Sequence, residues 1–102
     1  MFSFIKQLGS KKADLKEHLK QGAIILDVRS QAEYAQGHAK NAINIPLNIL
    51  PLQVARLDRK KTIITCCASG VRSASAMRIL VDNGFSSVFN GGSWTNLKKY
   101  ES

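Results

Sequence analysis

The chain has 102 residues, 44% of them hydrophobic and 22% charged, the length and balance of a single globular domain with one core. No stretch approaches the apolar run that a membrane-spanning helix needs, so no membrane association is expected. Fifteen Lys and Arg against seven Asp and Glu give a net charge of +8, a positive field that concentrates small anions or acidic partners.

Met1-Phe2-Ser3-Phe4-Ile5 is apolar but has no basic lead-in and runs at once into Lys6, too short for a secretory signal. A cytoplasmic protein is therefore expected, although a periplasmic chain already stripped of its signal would read the same way. From Ala13 to Lys20, Leu15 and Leu19 recur four apart among charged residues before Gly22, which predicts an amphipathic helix. Ala23-Ile24-Ile25-Leu26, ending at Asp27, predicts a strand buried on both faces. Ser30-Gln31-Ala32-Glu33 has the form of a capping box and predicts a short helix ending near Gly37.

Ala42-Ile43-Asn44-Ile45 predicts a second strand closed by Pro46, and Pro51 suits the first turn of a helix reaching about Leu57. Thr62-Ile63-Ile64-Thr65 is β-branched throughout and predicts a third strand with Cys66 as its last residue. Ala74, Met77, Leu80 and Val81 recur at helical spacing up to Asn83-Gly84. Ser87-Val88-Phe89 reads as a further strand, and beyond Gly91-Gly92 Ser93 can cap a helix carrying Trp94 and Leu97. The expected class is α/β. Alternating strands and helices imply a parallel sheet covered on both faces, with residues 1–102 as one domain.

Only two cysteines occur, Cys66 and Cys67, and they are adjacent. Neighbours are poorly placed for a structural disulfide, and His18 and His38 stand too far apart to complete a zinc set. The basic residues are scattered, from Lys6, Lys11, Lys12, Lys16 and Lys20 through Arg59-Lys60-Lys61 to Lys98-Lys99, without interleaved aromatics. Nucleic-acid binding is therefore not expected.

The chemistry concentrates in Cys66-Cys67-Ala68-Ser69-Gly70-Val71-Arg72-Ser73, between a strand end and a helix start, the edge where open α/β sheets bind ligands. A curl permitted by Gly70 lets backbone N–H groups converge as an anion-binding nest at a helix N-terminus. A cysteine at its base gains a stabilised thiolate from those dipoles and from Arg72. The bland reading makes both cysteines inert core residues and Gly70 a simple turn, leaving the coincidence of Cys, Gly and Arg unexplained.

The run from Cys67 to Ser73 resembles the active-site loop of the rhodanese family, in which a cysteine opens a six-residue curl closed by arginine and followed by serine. A second block resembles it in register: Leu26-Asp27-Val28-Arg29, Glu33-Tyr34, Gly37-His38, Ala42 and Asn44-Ile45-Pro46. The likeness extends from about Asp14 to Leu97. Ala39 departs from the Ile or Val usual after Gly-His, and Cys66 from the usual aromatic or aliphatic residue. Counted from Cys66, the loop instead reads Cys, five residues, Arg, the pattern of cysteine phosphatases and arsenate reductases.

The resemblance implies a three-layer α/β/α fold around a central, mainly parallel sheet of about five strands, and a thiosulfate sulfurtransferase in which Cys67 carries sulfur as a persulfide. It implies that Ala68, Ser69, Gly70, Val71 and Arg72 bind the substrate. Arg72 either attracts an anionic sulfur donor or ties the loop to a buried carboxylate. Asp27 and Arg29 are expected to support the site structurally, Glu33 to act as a cap, and Trp94 to belong to the core. The expected partners are a small anionic donor such as thiosulfate and a thiol, cyanide or acidic-protein acceptor, acting on a monomer without metal or organic cofactor. A binding module without catalysis is the alternative use of the same fold; its simplest mark would be loss of the cysteine, and Cys67 is present.

Overall fold

The computed structural model describes residues 12–101; Met1–Ile5, Lys6 and Lys11 lie outside them. In chain order they form α1 (Lys12–Lys20), β1 (Ile24–Asp27), α2 (Gln31–Gln36), β2 (Ile43–Asn44), α3 (Leu50–Gln53), β3 (Ile63–Cys67), α4 (Val71–Asp82), β4 (Val88–Ser93) and α5 (Trp94–Lys98). All the strand pairs are parallel, in the order β2-β1-β3-β4. The sheet therefore has four strands among the described residues, where about five were expected. The four runs read as strands, at 23–26, 42–45, 62–66 and 87–89, each overlap one of them.

Alternation along the strands divides the core into two layers. Ile63 and Cys67 face one side of β3 with Leu26, Leu50, Ala76, Leu80 and Val88. Ile64 and Cys66 face the other with Leu15, Ile25, Phe89 and Leu97. Helices α3 and α4 thus cover one face and α1 and α5 the other, with each large buried side chain contributing roughly 1.5–3 kcal/mol. Ala39 is fully buried in the second layer.

Several boundaries differ from the sequence expectations. The helix expected from Pro51 to Leu57 is a four-residue helix flanked by 3-10 turns at Leu47–Ile49 and Val54–Arg56. It has no side-chain cap at its start, and so little bond energy extends it. β2 is cut to two residues, closed by Pro46. β3 includes Cys67 rather than stopping at Cys66. β4 runs on through Gly91 and Gly92 to Ser93, and its pairing with β3 slips between Thr65 and Cys67, as in a bulge. Gly91 is obligatory there, because a Cβ on it would lie 2.9 Å from Ile64 Cγ2 and 3.0 Å from Thr65 O. Among the described residues no helix is long and apolar enough to cross a membrane.

Candidate active site

β3 delivers two neighbouring thiols to opposite faces of the sheet. Both are fully buried, yet their surroundings differ. Cys66 packs among apolar side chains; burial, reinforced by the charge of Asp27, pushes its thiol far up. No hydrogen bond reaches its sulfur among the described residues. A thiolate there would be desolvated and unsupported.

Cys67 sits under the curl that joins β3 to α4. Gly70 adopts φ 107° and begins α4 without a side-chain cap, so the orphan N–H groups of the first turn are free to find another acceptor. They find the sulfur: Gly70 N donates to Cys67 Sγ at 3.0 Å and Ser73 N at 3.4 Å. The Ser73 hydroxyl lies 3.6 Å from Sγ. Burial opposes ionisation, but hydrogen bonds from the Ser73 hydroxyl and from the N–H groups of Ser73, Gly70 and Ser69 outweigh it and hold the Cys67 thiol below its ordinary value. The positive end of α4 favours the same charge.

Ala68 and Ser69 are exposed at the rim, as is Val71. Their backbones shape the curl, and of their side chains only Val71 puts a large apolar group at the mouth. The Arg72 guanidinium is paired with Glu33, Nη1 to Oε1 at 2.7 Å and Nη2 to Oε2 at 3.0 Å. Its partner is thus a half-exposed carboxylate rather than the buried one the loop alone suggested. Glu33 keeps its capping role as well, accepting from Ser30 N at 3.0 Å while Glu33 N donates to Ser30 Oγ at 3.2 Å. Held by Arg72 first and Ser30 second, its carboxyl falls to about 2.

Asp27, the last residue of β1, and Arg29 form a buried pair, Arg29 Nη2 to Asp27 Oδ2 at 2.7 Å and Nε to Oδ1 at 2.9 Å. Arg29 also donates to Gly37 O at 2.7 Å and lies against the Trp94 ring at 4.6 Å, tying α2, β1 and α5 together. Neither residue hydrogen-bonds to Cys67. His38 stacks on Tyr34 at 3.8 Å, apart from the thiol's bonding partners.

Two participants escaped the sequence reading. Asn90 on β4 accepts from Ser73 Oγ at 2.6 Å and from Gly92 N at 2.9 Å, and donates to Gly70 O at 3.2 Å. Its signal was faint: one polar residue in an apolar strand, just before a glycine pair. Ser73 was noted only as the residue after Arg72, although its N–H and hydroxyl both face the sulfur.

The description of the rhodanese-like domain matches residues 11–99. The chain belongs to the rhodanese-like domain family. A sulfurtransferase of Allochromatium vinosum is 29% identical over 70 residues, covering 69% of this chain and 65% of that protein. A tRNA uridine(34) hydroxylase of Yersinia enterocolitica is 36% identical over 73 residues, covering 66% of this chain but 21% of the relative. The chain thus spans just under two thirds of the first and about a fifth of the second. A rhodanese-related protein of Thermoplasma volcanium matches with a TM-score of 0.75 and 33% identity, covering 90% of this chain and 92% of that one. The rhodanese-like α/β fold is therefore shared along nearly its whole length.

Proposed function

We propose that this rhodanese-like chain is a sulfurtransferase that carries sulfane sulfur on Cys67. The observation that carries the reading is the convergence of Gly70 N and Ser73 N on Cys67 Sγ, at 3.0 and 3.4 Å, while Cys66 lies sealed in the opposite layer. A donor such as thiosulfate presents its outer sulfur to the Cys67 thiolate. The new bond forms between Cys67 Sγ and that sulfur, the donor's sulfur–sulfur bond breaks, and sulfite leaves with the electron pair.

The terminal sulfur of the resulting persulfide is anionic, and the donors that held the thiolate remain beside it as preorganised dipoles. An acceptor thiolate or cyanide then attacks the terminal sulfur, and Cys67 leaves as the thiolate. Ping-pong kinetics follow from this order. Arg72 acts mainly on the loop through Glu33, and Ala68, Ser69, Gly70 and Val71 bind the donor through backbone and rim. The net charge of +8 suits an anionic donor and an acidic protein as acceptor. The same reading takes the protein to be a cytoplasmic monomer, in a compartment where an unpaired thiol stays reduced.

The test is mass spectrometry of the wild type, Cys66→Ala and Cys67→Ala after thiosulfate treatment. An added sulfur atom on the wild type and Cys66→Ala, absent from Cys67→Ala, is the expected result. An adduct that survives Cys67→Ala and disappears in Cys66→Ala would transfer the role to Cys66 and favour the longer loop register.

A further inference from the structure

The Ser73 hydroxyl has one proton and three acceptors around it. Asn90 Oδ1 is nearest at 2.6 Å, Gly70 O follows at 3.0 Å, and Cys67 Sγ lies at 3.6 Å. Gly70 O already accepts from Ala74 N at 3.1 Å and from Asn90 Nδ2 at 3.2 Å, which fills both of its lone pairs. While Cys67 is a neutral thiol, the Ser73 proton therefore rests on Asn90 Oδ1. The Ser73 oxygen then offers a lone pair to the Cys67 S–H.

An ionised sulfur cannot donate, and Ser73 can help it only by turning its proton round. The turn does not orphan Asn90 Oδ1, because Gly92 N still donates to it at 2.9 Å. The two hydroxyl orientations are thus both fully bonded, and Asn90 competes with the sulfur for a single proton. We infer that Asn90 is a positioning residue for the Cys67 chemistry, governing through the Ser73 hydroxyl how readily a charged sulfur on Cys67 receives its side-chain hydrogen bond.

This rests on reading Cys67 as the reacting group. The other charged or titratable groups around the thiol are Arg72 on α4, its partner Glu33 on α2, the Asp27–Arg29 pair at the end of β1 and Cys66 on the reverse of β3. None of them hydrogen-bonds to Ser73 or Asn90 among the described residues, so the competition is a local affair of three side chains.

The test is the rate of Cys67 alkylation by iodoacetamide against pH for the wild type, Asn90→Ala, Ser73→Ala and the double variant, with peptide mapping to confirm the site. Below the thiol's titration, Ser73→Ala should react about tenfold more slowly, as expected for losing a hydrogen bond to a charged group. Asn90→Ala should react about threefold faster on the same scale, and the double variant should match Ser73→Ala. Slower reaction in Asn90→Ala, or an Asn90 effect that persists without Ser73, would mean that Asn90 merely braces the loop, and would overturn the inference. Should thermal melting show that Asn90→Ala does not fold, Asn90→Asp carries the test. Its carboxylate holds the Ser73 proton more tightly, so alkylation falls, and by less in the Ser73→Ala background; an equal fall in both backgrounds counts against the inference. Alkylation needs no sulfur donor, so this order of rates can fail while sulfur transfer stands, and can hold while sulfur transfer fails.

Discussion

Arg72 grips both oxygens of Glu33, at 2.7 and 3.0 Å, across 39 positions of sequence. The contact joins the first turn of α4, which shapes the Cys67 cradle, to the first turn of α2, which Glu33 itself caps. A side chain that looked purely local thus fixes the far wall of the candidate site. The positive charge beside the cradle is also offset by that carboxylate, leaving the Ser73 hydroxyl and the backbone N–H groups as the donors at the sulfur.

The pair makes the loop sensitive to acid. Glu33 ionises more readily folded, at about 2, than unfolded, near 4.5, so its contribution is complete above the unfolded value and is lost as pH falls from there through about 2. Its exposure to solvent and salt keeps that contribution small. Glu33→Gln is expected to flatten the loss of thermal stability between pH 5 and about 2 relative to wild type; melting curves with unchanged slope in that window would argue that the pair is inconsequential.

Gly70 adopts φ 107°, and a Cβ there would sit 3.4 Å from Gly92 Cα. Gly70→Ala keeps the space but imposes a left-handed backbone on a residue that resists it, at a cost of about 1–2 kcal/mol. Relaxation of that strain moves the N–H now 3.0 Å from Cys67 Sγ. The expected outcome is a modest fall in melting temperature and a disproportionate loss of sulfur loading, at least about tenfold if one charge-assisted bond is lost. Loading rates equal to wild type in a folded Gly70→Ala protein would show that this donor is dispensable.

What could be read from the sequence was what neighbouring residues decide among themselves. The Ser30–Glu33 capping box, the Gly70 curl and the helix through Ala74, Met77 and Leu80 need only local geometry, and all are present. The opposite surroundings of Cys66 and Cys67 needed the pleat of β3, because adjacent strand residues face opposite layers and a one-residue error in the strand end hides which. Pairings between distant segments left no local trace: Arg72 with Glu33, or Asn90 with Ser73 across 17 positions. The number of strands was misjudged because the resemblance, not the apolar runs, supplied the figure of five.

Asp27 and Arg29 lie two residues apart and are both buried, with side-chain exposures of 0% and 5%. Asp27→Ala would leave the guanidinium without its carboxylate in a dry site, and breaking a buried pair from one side costs about 3–5 kcal/mol. Asp27→Asn keeps an acceptor for Arg29 N, which now bonds Oδ1 at 3.0 Å, and is expected to lose less. Chemical denaturation of the two variants measures the difference. A cost for Asp27→Ala below about 1 kcal/mol would place it among ordinary surface substitutions and show that Gly37 O and the Trp94 ring hold Arg29 by themselves.

The two thiols should separate most clearly in their response to pH. Burial raises Cys66 while the loop's donors lower Cys67, so the sign of each linkage is opposite. Cys67 contributes stability above the ordinary thiol value and loses it as pH falls through its own lower one. Cys66 favours the fold while neutral and, as pH rises above the ordinary value, increasingly draws the chain toward the unfolded state, where it can ionise. In the native protein at neutral pH, iodoacetamide is therefore expected to modify Cys67 at least about tenfold faster than Cys66, since the thiolate is the nucleophile and only Cys67 has donors that favour it. In denaturant the difference should collapse, because both thiols then have the same surroundings. Peptide mapping under both conditions reads the ratio directly, and native modification of Cys66 at a comparable rate would contradict the opposing environments on the two faces of β3.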